Sequence, residues 1–238
     1  MKLVSGVLAT CTALFLAVAA EAATVPFTEN FASDSGWLDA TGSPGLDFVA
    51  SGGQDFGGFV STTINFEPFA LGDQGPVLFR GPGSASGGAF AGDWITEGIG
   101  ELTAWVRHDS TVPLNFFARL ASPFNFPGAI GVQFAPVIGI PGPAGWTQLS
   151  FAIDPSNPQF VSFEGQSFEA VFSNVGIVQL GVSVPEGLAG IDYDVHVELD
   201  TVGIAAATPE YEVPEADALF LLVLGLGLMA LAHPRRRA

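Results

Sequence analysis

The chain is poor in several residues on which common functions depend. One cysteine, Cys11, and one lysine, Lys2, occur in 238 residues. Both lie near the start, so residues 23–213 contain neither. That stretch holds no disulfide and no thiolate metal site, even in a compartment that would allow disulfides. Cationic charge is almost missing too. Histidines aside, residues 23–213 carry only Arg80, Arg107 and Arg119, against 21 acids from Glu29 to Glu212. Such a surface repels phosphates instead of neutralising them, which argues against nucleic acid and against anionic lipid headgroups. It suits neutral glycans, divalent cations and plain solubility.

Catalytic signatures are also lacking. There is no Gly-x-Ser-x-Gly elbow, no His/Cys spacing of the zinc kind and no phosphate-cradling Gly-Lys loop. His108-Asp109-Ser110 sets three suggestive residue types in a row. Neighbours on a strand point to opposite faces, so these three cannot relay a proton among themselves. Nothing singles out a carboxylate pair for glycoside hydrolysis among the acids.

What the chain does have begins at its ends. Met1-Lys2 is a short positive start, Leu3 to Val18 is mostly apolar, and Ala20-Glu21-Ala22 follows. This is the layout of a secretory signal peptide, with small residues at Ala20 and Ala22 for a signal peptidase, and cleavage is expected after Ala22. At the other end, Val213-Pro214-Glu215 precedes 15 uncharged residues, 218–232, and then Arg235-Arg236-Arg237. As a helix that run is about 22 Å long, against a hydrocarbon core of about 30 Å. The arginines stay cytoplasmic by the positive-inside rule, which puts residues 23–213 outside.

Val213, Pro214 and Glu215, the apolar run and the arginine cluster together resemble the PEP-CTERM sorting signal of Gram-negative bacteria. Ala216 stands where that family usually has proline. The resemblance covers the last 26 residues. It implies an exosortase-type processing enzyme as partner, a passing stay in the inner membrane, and delivery to the outer surface or extracellular matrix. The expected organisation is a signal peptide over 1–22, a domain over 23–207, a spacer over 208–212 and a sorting tail over 213–238. The tail's transmembrane helix is placed at 218–232.

The domain reads as all-β. Short alternating runs separated by Gly/Pro turns recur at 100–107, 114–120, 130–134, 146–153 and 175–184. The run 191–200 is the cleanest. Ile191, Tyr193, Val195, Val197 and Leu199 alternate with Asp192, Asp194, His196, Glu198 and Asp200. A period of two puts the first set on a core face and the second on the opposite face. Such strands predict an antiparallel β-sandwich of the jelly-roll kind.

A second resemblance rests on short motifs. Phe27-Thr28-Glu29-Asn30-Phe31 with Gly36-Trp37 resembles the opening strand of galactose-binding-like jelly rolls. Residues 52–59, Gly-Gly-Gln-Asp-Phe-Gly-Gly-Phe, are similar to the glycine-rich stretch of laminin-IV-type members. Gly92-Asp93-Trp94, Gly145-Trp146-Thr147 and the closing run Leu199 to Ile204 fit the same pattern. This likeness implies that Glu29 and Asp200 converge on a structural calcium ion, because the first and last strands pair. Calcium takes six to eight oxygen ligands, so backbone carbonyls and another carboxylate would have to join. Asp47 and Asp55 are candidates for that role.

Sugars stack on aromatic faces, so the four tryptophans, Trp37, Trp94, Trp105 and Trp146, are the candidates for a binding platform. Trp94, in a glycine-bounded loop beside Asp93, is the expected exposed one. The 21 phenylalanines read as core filling. The expected function is a non-enzymatic surface or matrix protein that binds extracellular polysaccharide. A matrix component without a tight ligand and a secreted glycan hydrolase are the alternatives.

Overall fold

A computed structural model describes residues 22–123, 129–137, 145–162 and 165–208, with residues 129 and 132–136 by backbone alone. The signal segment through Glu21 and the sorting tail with Val213, Pro214, Glu215, Arg235, Arg236 and Arg237 lie outside the described residues, as does Ala20. Among the described residues no helix is long and apolar enough to cross a membrane; the helix expected at 218–232 lies outside them.

Eleven strands are described: β1 Phe27–Glu29, β2 Asp47–Val49, β3 Phe59–Asn65, β4 Val77–Pro82, β5 Ile99–His108, β6 Leu114–Ala121, β7 Ala129–Val137, β8 Thr147–Ala152, β9 Phe160–Ser162, β10 Ile177–Val182 and β11 Asp194–Ala206. A short helix α1, Phe168–Phe172, is capped at its start by the Ser167 hydroxyl, which accepts from Ala170 N at 3.2 Å. The strands form two antiparallel sheets. The first runs β2-β3-β11-β5-β8, with β1 added on β11; the second runs β4-β10-β6-β7-β9. The all-β sandwich expected from the alternating runs is therefore the architecture.

The core lies between the sheets and follows the period of two. β11 sends in Val195, Val197 and Leu199, and β5 sends in Leu102, Ala104 and Val106. From the second sheet come Phe116, Ala118 and Leu120 of β6 and Val178, Leu180 and Val182 of β10. Burying each larger apolar side chain stabilises the fold by about 1.5–3 kcal/mol.

β11 breaks the simple alternation once. Its pairing with β5 slips between Asp200 and Gly203, and Thr201 takes φ 48°. The extra residue is a β-bulge. It keeps Val202 and Ile204 on the core face, although strict alternation from Leu199 would turn them outward. The bulge also divides one edge of β11 between two partners. β3 pairs with residues 194–199 and β1 with residues 202–204.

The sequence run 191–200 needs one correction. β11 starts at Asp194, and Ile191 and Tyr193 are exposed instead of core. The chain turns just before the strand: Ile191 N donates to Leu188 O at 3.0 Å. Asn65 Nδ2 then ties Asp192 and Asp194 together at 2.7 and 2.8 Å, so pairing with β3 begins only at Asp194.

Candidate functional site

The outer face of the second sheet carries an unusual polar row. Gln179 of β10 sits opposite Arg80 on one side and Arg119 on the other. Beyond Arg119, the row continues through Gly131 of β7 to the exposed Val161 of β9. On either side of Gln179 along β10, Val178 and Leu180 point into the core, so alternation turns Gln179 outward. The same rule turns Arg119 outward between Ala118 and Leu120.

The row is largely buried although it lies on the outer face. Gln179 has no exposed surface and Arg119 keeps 9 %. Arg80 is half-buried, and its Nε donates to Ala40 O at 3.1 Å. Leu38 pairs with Arg80 through the backbone, so the chain around residues 38–40 walls the β4 edge. One register step away, the Phe117 ring lies over Gly181: a Cβ at Gly181 would come within 2.5 Å of that ring and 2.4 Å of Pro76 O. Glycine is required there by the close approach.

The polar groups of the row engage one another. Arg119 donates to Gln179 Oε1 at 2.7 Å. Gln179 Nε2 is buried and has no hydrogen-bond partner. Burial first, then the charge of Arg119, pull the Arg80 guanidinium below its ordinary value, while Asp39 works the other way. Two of the three arginines of residues 23–213 thus flank one buried amide.

The outer face of the first sheet is built differently. Arg107 of β5 forms an ion pair with Glu198 of β11, both side chains being 12 % exposed. Its guanidinium lies 4.6 Å from the Trp146 ring centroid and 5.5 Å from that of Phe59. Trp146 meets Phe59 edge-on at 5.6 Å and donates from its indole N–H to Gly52 O at 3.3 Å. Here the cation has an acid and two rings. The acidic row of β11 is engaged by partners within the domain. Asp194 takes Asn65, Glu198 takes Arg107, and the His196 backbone N–H donates to Asp109 at 2.8 Å. Among the described residues no group of three or more His, Cys, Asp or Glu could hold a metal.

Glu29 and Asp200 meet the same junction. β1 does pair with β11, with Glu29 opposite Val202, and Asp200 lies where β1 and β3 part along β11. Glu29 Oε1 accepts from Phe31 N at 2.7 Å. Asp200 is fully buried and accepts from Gln54 N at 2.6 Å and Thr201 N at 2.7 Å. Burial raises its pKa against those hydrogen bonds. The loop 53–58 packs against Asp200 at one end and the Phe31 backbone at the other. A Cβ on Gly53 would lie 2.5 Å from Asp200 Oδ2, and one on Gly58 would lie 2.2 Å from Phe31 O. Thr201 Oγ1, at the bulge, is buried and also acts on the Asp200 carboxylate. Carboxylates, carbonyls and a hydroxyl are the donor class that calcium takes. Asp47 pairs in β2 and Asp55 caps Gly57 N at 2.7 Å.

Trp94 corrects an expectation. It is fully buried, its indole N–H donates to Phe90 O at 2.8 Å, and its ring packs on Phe172 at 5.8 Å. The glycines around it bring it into the core instead of displaying it, so it is no exposed sugar platform. Trp37 is core as well, with its N–H on Ser86 Oγ at 3.0 Å. His108, Asp109 and Ser110 separate as alternation requires. His108 Nε2 lies 3.1 Å from Val137 O, Asp109 binds the His196 backbone, and Ser110 Oγ donates to Val112 O at 2.9 Å. Ala22 is exposed.

The polar row was not foreseen from the sequence. Its signal was present: a polar residue at the outward position of two otherwise apolar strands, Arg119 in 114–120 and Gln179 in 175–184. What the sequence hid is that the two strands are neighbours.

Two antiparallel sheets with this connectivity define the class of fold, a β-jelly-roll sandwich. No protein-family profile and no curated protein matches the chain. Among solved structures it is similar to an exo-beta-agarase, with 11 % identity and a TM-score of 0.50 over 79 % of this chain and 26 % of that one. It is also similar to the CBM22-1-GH10 modules of Clostridium thermocellum xylanase 10B complexed with xylohexaose, with 12 % identity and a TM-score of 0.44, over 76 % of this chain and 28 % of that one. A third likeness is to the CBM22-1 xylan-binding domain of Paenibacillus barcinonensis Xyn10C, with 16 % identity and a TM-score of 0.41, over 79 % of this chain and 100 % of that one. The chain thus spans about a quarter of the agarase and xylanase chains it matches. At such identities the likeness concerns the fold alone.

Proposed function

We propose that the chain is an exported, non-enzymatic glycan-binding protein of the outer surface or extracellular matrix, and that the outer face of the second sheet is its binding site. The observation that carries this reading is the row Arg80, Gln179, Arg119 beside the Phe117 ring. A sugar offers hydroxyl acceptors to fixed donors and C–H faces to an aromatic wall. The agarase neighbour shares the sandwich; the site residues carry the reading. Calcium belongs to the same proposal, held by Glu29 and Asp200 with Thr201 Oγ1 and backbone carbonyls of the loop 53–58, where it would brace the junction of β1, β3 and β11. Sorting through Val213, Pro214, Glu215 and the arginines 235–237 by an exosortase-type enzyme, after signal-peptidase cleavage at Ala22, supplies the address. Its check is the mass of the surface-released protein, which should lack both ends.

The test of binding is a screen of the full-length chain in detergent against a glycan array, with and without a calcium chelator. Binding to a defined polysaccharide is expected. A flat array in both conditions removes the glycan reading. A melting temperature indifferent to chelator, in wild type and in Asp200→Asn alike, removes calcium.

A further inference from the structure

We infer that Phe56, on the loop between β2 and β3 of the first sheet, is a second contact point for a glycan and stacks on the C–H face of a neutral sugar ring. This rests on the glycan reading, adds a site to it and narrows the ligand to uncharged pyranoses.

Three observations converge. First, Phe56 is 84 % exposed, more than any other large apolar side chain among the described residues. Its ring forgoes the burial that Phe31 and Phe59 on either side of it in the sequence obtain. Second, its backbone takes φ 69°. That is the left-handed region, where glycine is at ease and a bulky side chain is strained. The loop has glycines at 52, 53, 57 and 58, yet this position carries phenylalanine. The fold gains neither burial nor backbone ease from the ring, so its use lies outside the fold. Third, the loop that carries it is tied down. Gly53 N donates to Gly57 O at 3.0 Å and Phe56 N to Gly53 O at 3.1 Å. Gly57 N donates to Asp55 Oδ1 at 2.7 Å, and Gln54 N to the buried Asp200 at 2.6 Å. An aromatic ring on a braced loop loses little freedom when a ligand settles on it.

The surroundings of the ring define the occupant. Its neighbours along the loop are glycines, an amide and a carboxylate, whereas a protein hot spot sits among packed apolar side chains. A pyranose matches a phenyl ring in size and offers it a C–H face. Asp55 is exposed beside Phe56, and a carboxylate accepts hydrogen bonds from sugar hydroxyls. The same carboxylate, in a domain with 21 acids, repels a uronate. The ligand class is therefore a neutral polysaccharide.

The experiment uses the full-length chain in detergent with four probes: hydroxyethylcellulose, galactomannan, chitohexaose and polygalacturonate. At least one of the three neutral probes is expected to bind at least tenfold more tightly than polygalacturonate. Phe56→Gly is the decisive variant. It should cost about tenfold in that affinity, while the melting temperature holds or rises because glycine relieves the left-handed strain. Phe56→Trp, with a larger face, should bind at least as tightly as wild type. Undiminished binding in Phe56→Gly overturns the inference and leaves the glycan reading standing. Polygalacturonate binding as tight as that of the neutral probes does the same. A lowered melting temperature in Phe56→Gly overturns it too, since the ring then serves the fold. So does a dimer in sedimentation that Phe56→Gly dissolves, since the ring then joins two copies of the chain. Silence toward all four probes overturns the inference, and the glycan reading falls with it only if the broader array is also flat.

Discussion

The two outer faces of the sandwich handle the same scarce resource, arginine, in opposite ways. On the first sheet Arg107 has a carboxylate, an indole and a phenyl ring around it. On the second, Arg80 and Arg119 face each other across an amide with an unmet donor. A buried ion pair breaks even at best, but it closes the face to outsiders, because every strong donor already has its acceptor. The first face is closed by an ion pair and two rings, and the second by an amide set between two arginines, on one domain with one composition.

The comparison breaks most visibly at Arg107. Arg107→Ala leaves Glu198 largely buried without its cation and should cost about 3 kcal/mol, read by urea denaturation, with glycan affinity unchanged. An equal loss of affinity would mean that the first face also binds. Arg80→Ala should behave inversely. Affinity for the bound glycan should fall about tenfold, or ~1.4 kcal/mol, while stability moves by at most about 1 kcal/mol. Trp146→Phe keeps the ring against Arg107 but loses the indole N–H on Gly52, so a cost of about 0.5–1 kcal/mol in stability is expected, again without effect on binding.

The smallest effect tests a group on neither face. Burial lowers the pKa of His108 from 6.5, against its bond to Val137 and the charge of Asp109. Its buried Nδ1 has no partner. The folded protein therefore binds fewer protons than the unfolded chain once pH drops below the ordinary histidine range. That share of stability is complete above 6.5 and falls as pH drops toward the lowered folded-state value. Melting curves from about pH 7 to about pH 5 should show this decline in wild type and a shallower one in His108→Phe.

Much of the fold was legible because strand periodicity is local. Val195, Val197 and Leu199 announce a core face, and their prediction held. Ile191 and Tyr193 carry the same pattern but stand outside the strand, because Leu188 turns the chain and Asn65 gathers Asp192 and Asp194 from a distant strand. The site was far less legible. Trp94 looked exposed by its glycines, yet the chain folds those glycines inward and satisfies the indole on Phe90. Arg80, Arg119 and Gln179 are separated by 39 and 60 residues, and no local window relates them.

By itself the sequence determined the character of the domain. It has no cysteine or lysine between residues 23 and 213, a strong acidic excess and strands of period two. These follow from which residues are present and from how side chains alternate along a strand. Only the tertiary structure decided which partners each arginine meets. That depends on strand order: β11 puts Glu198 beside Arg107, while β10 runs between β4 and β6 and sets the Gln179 amide between their arginines.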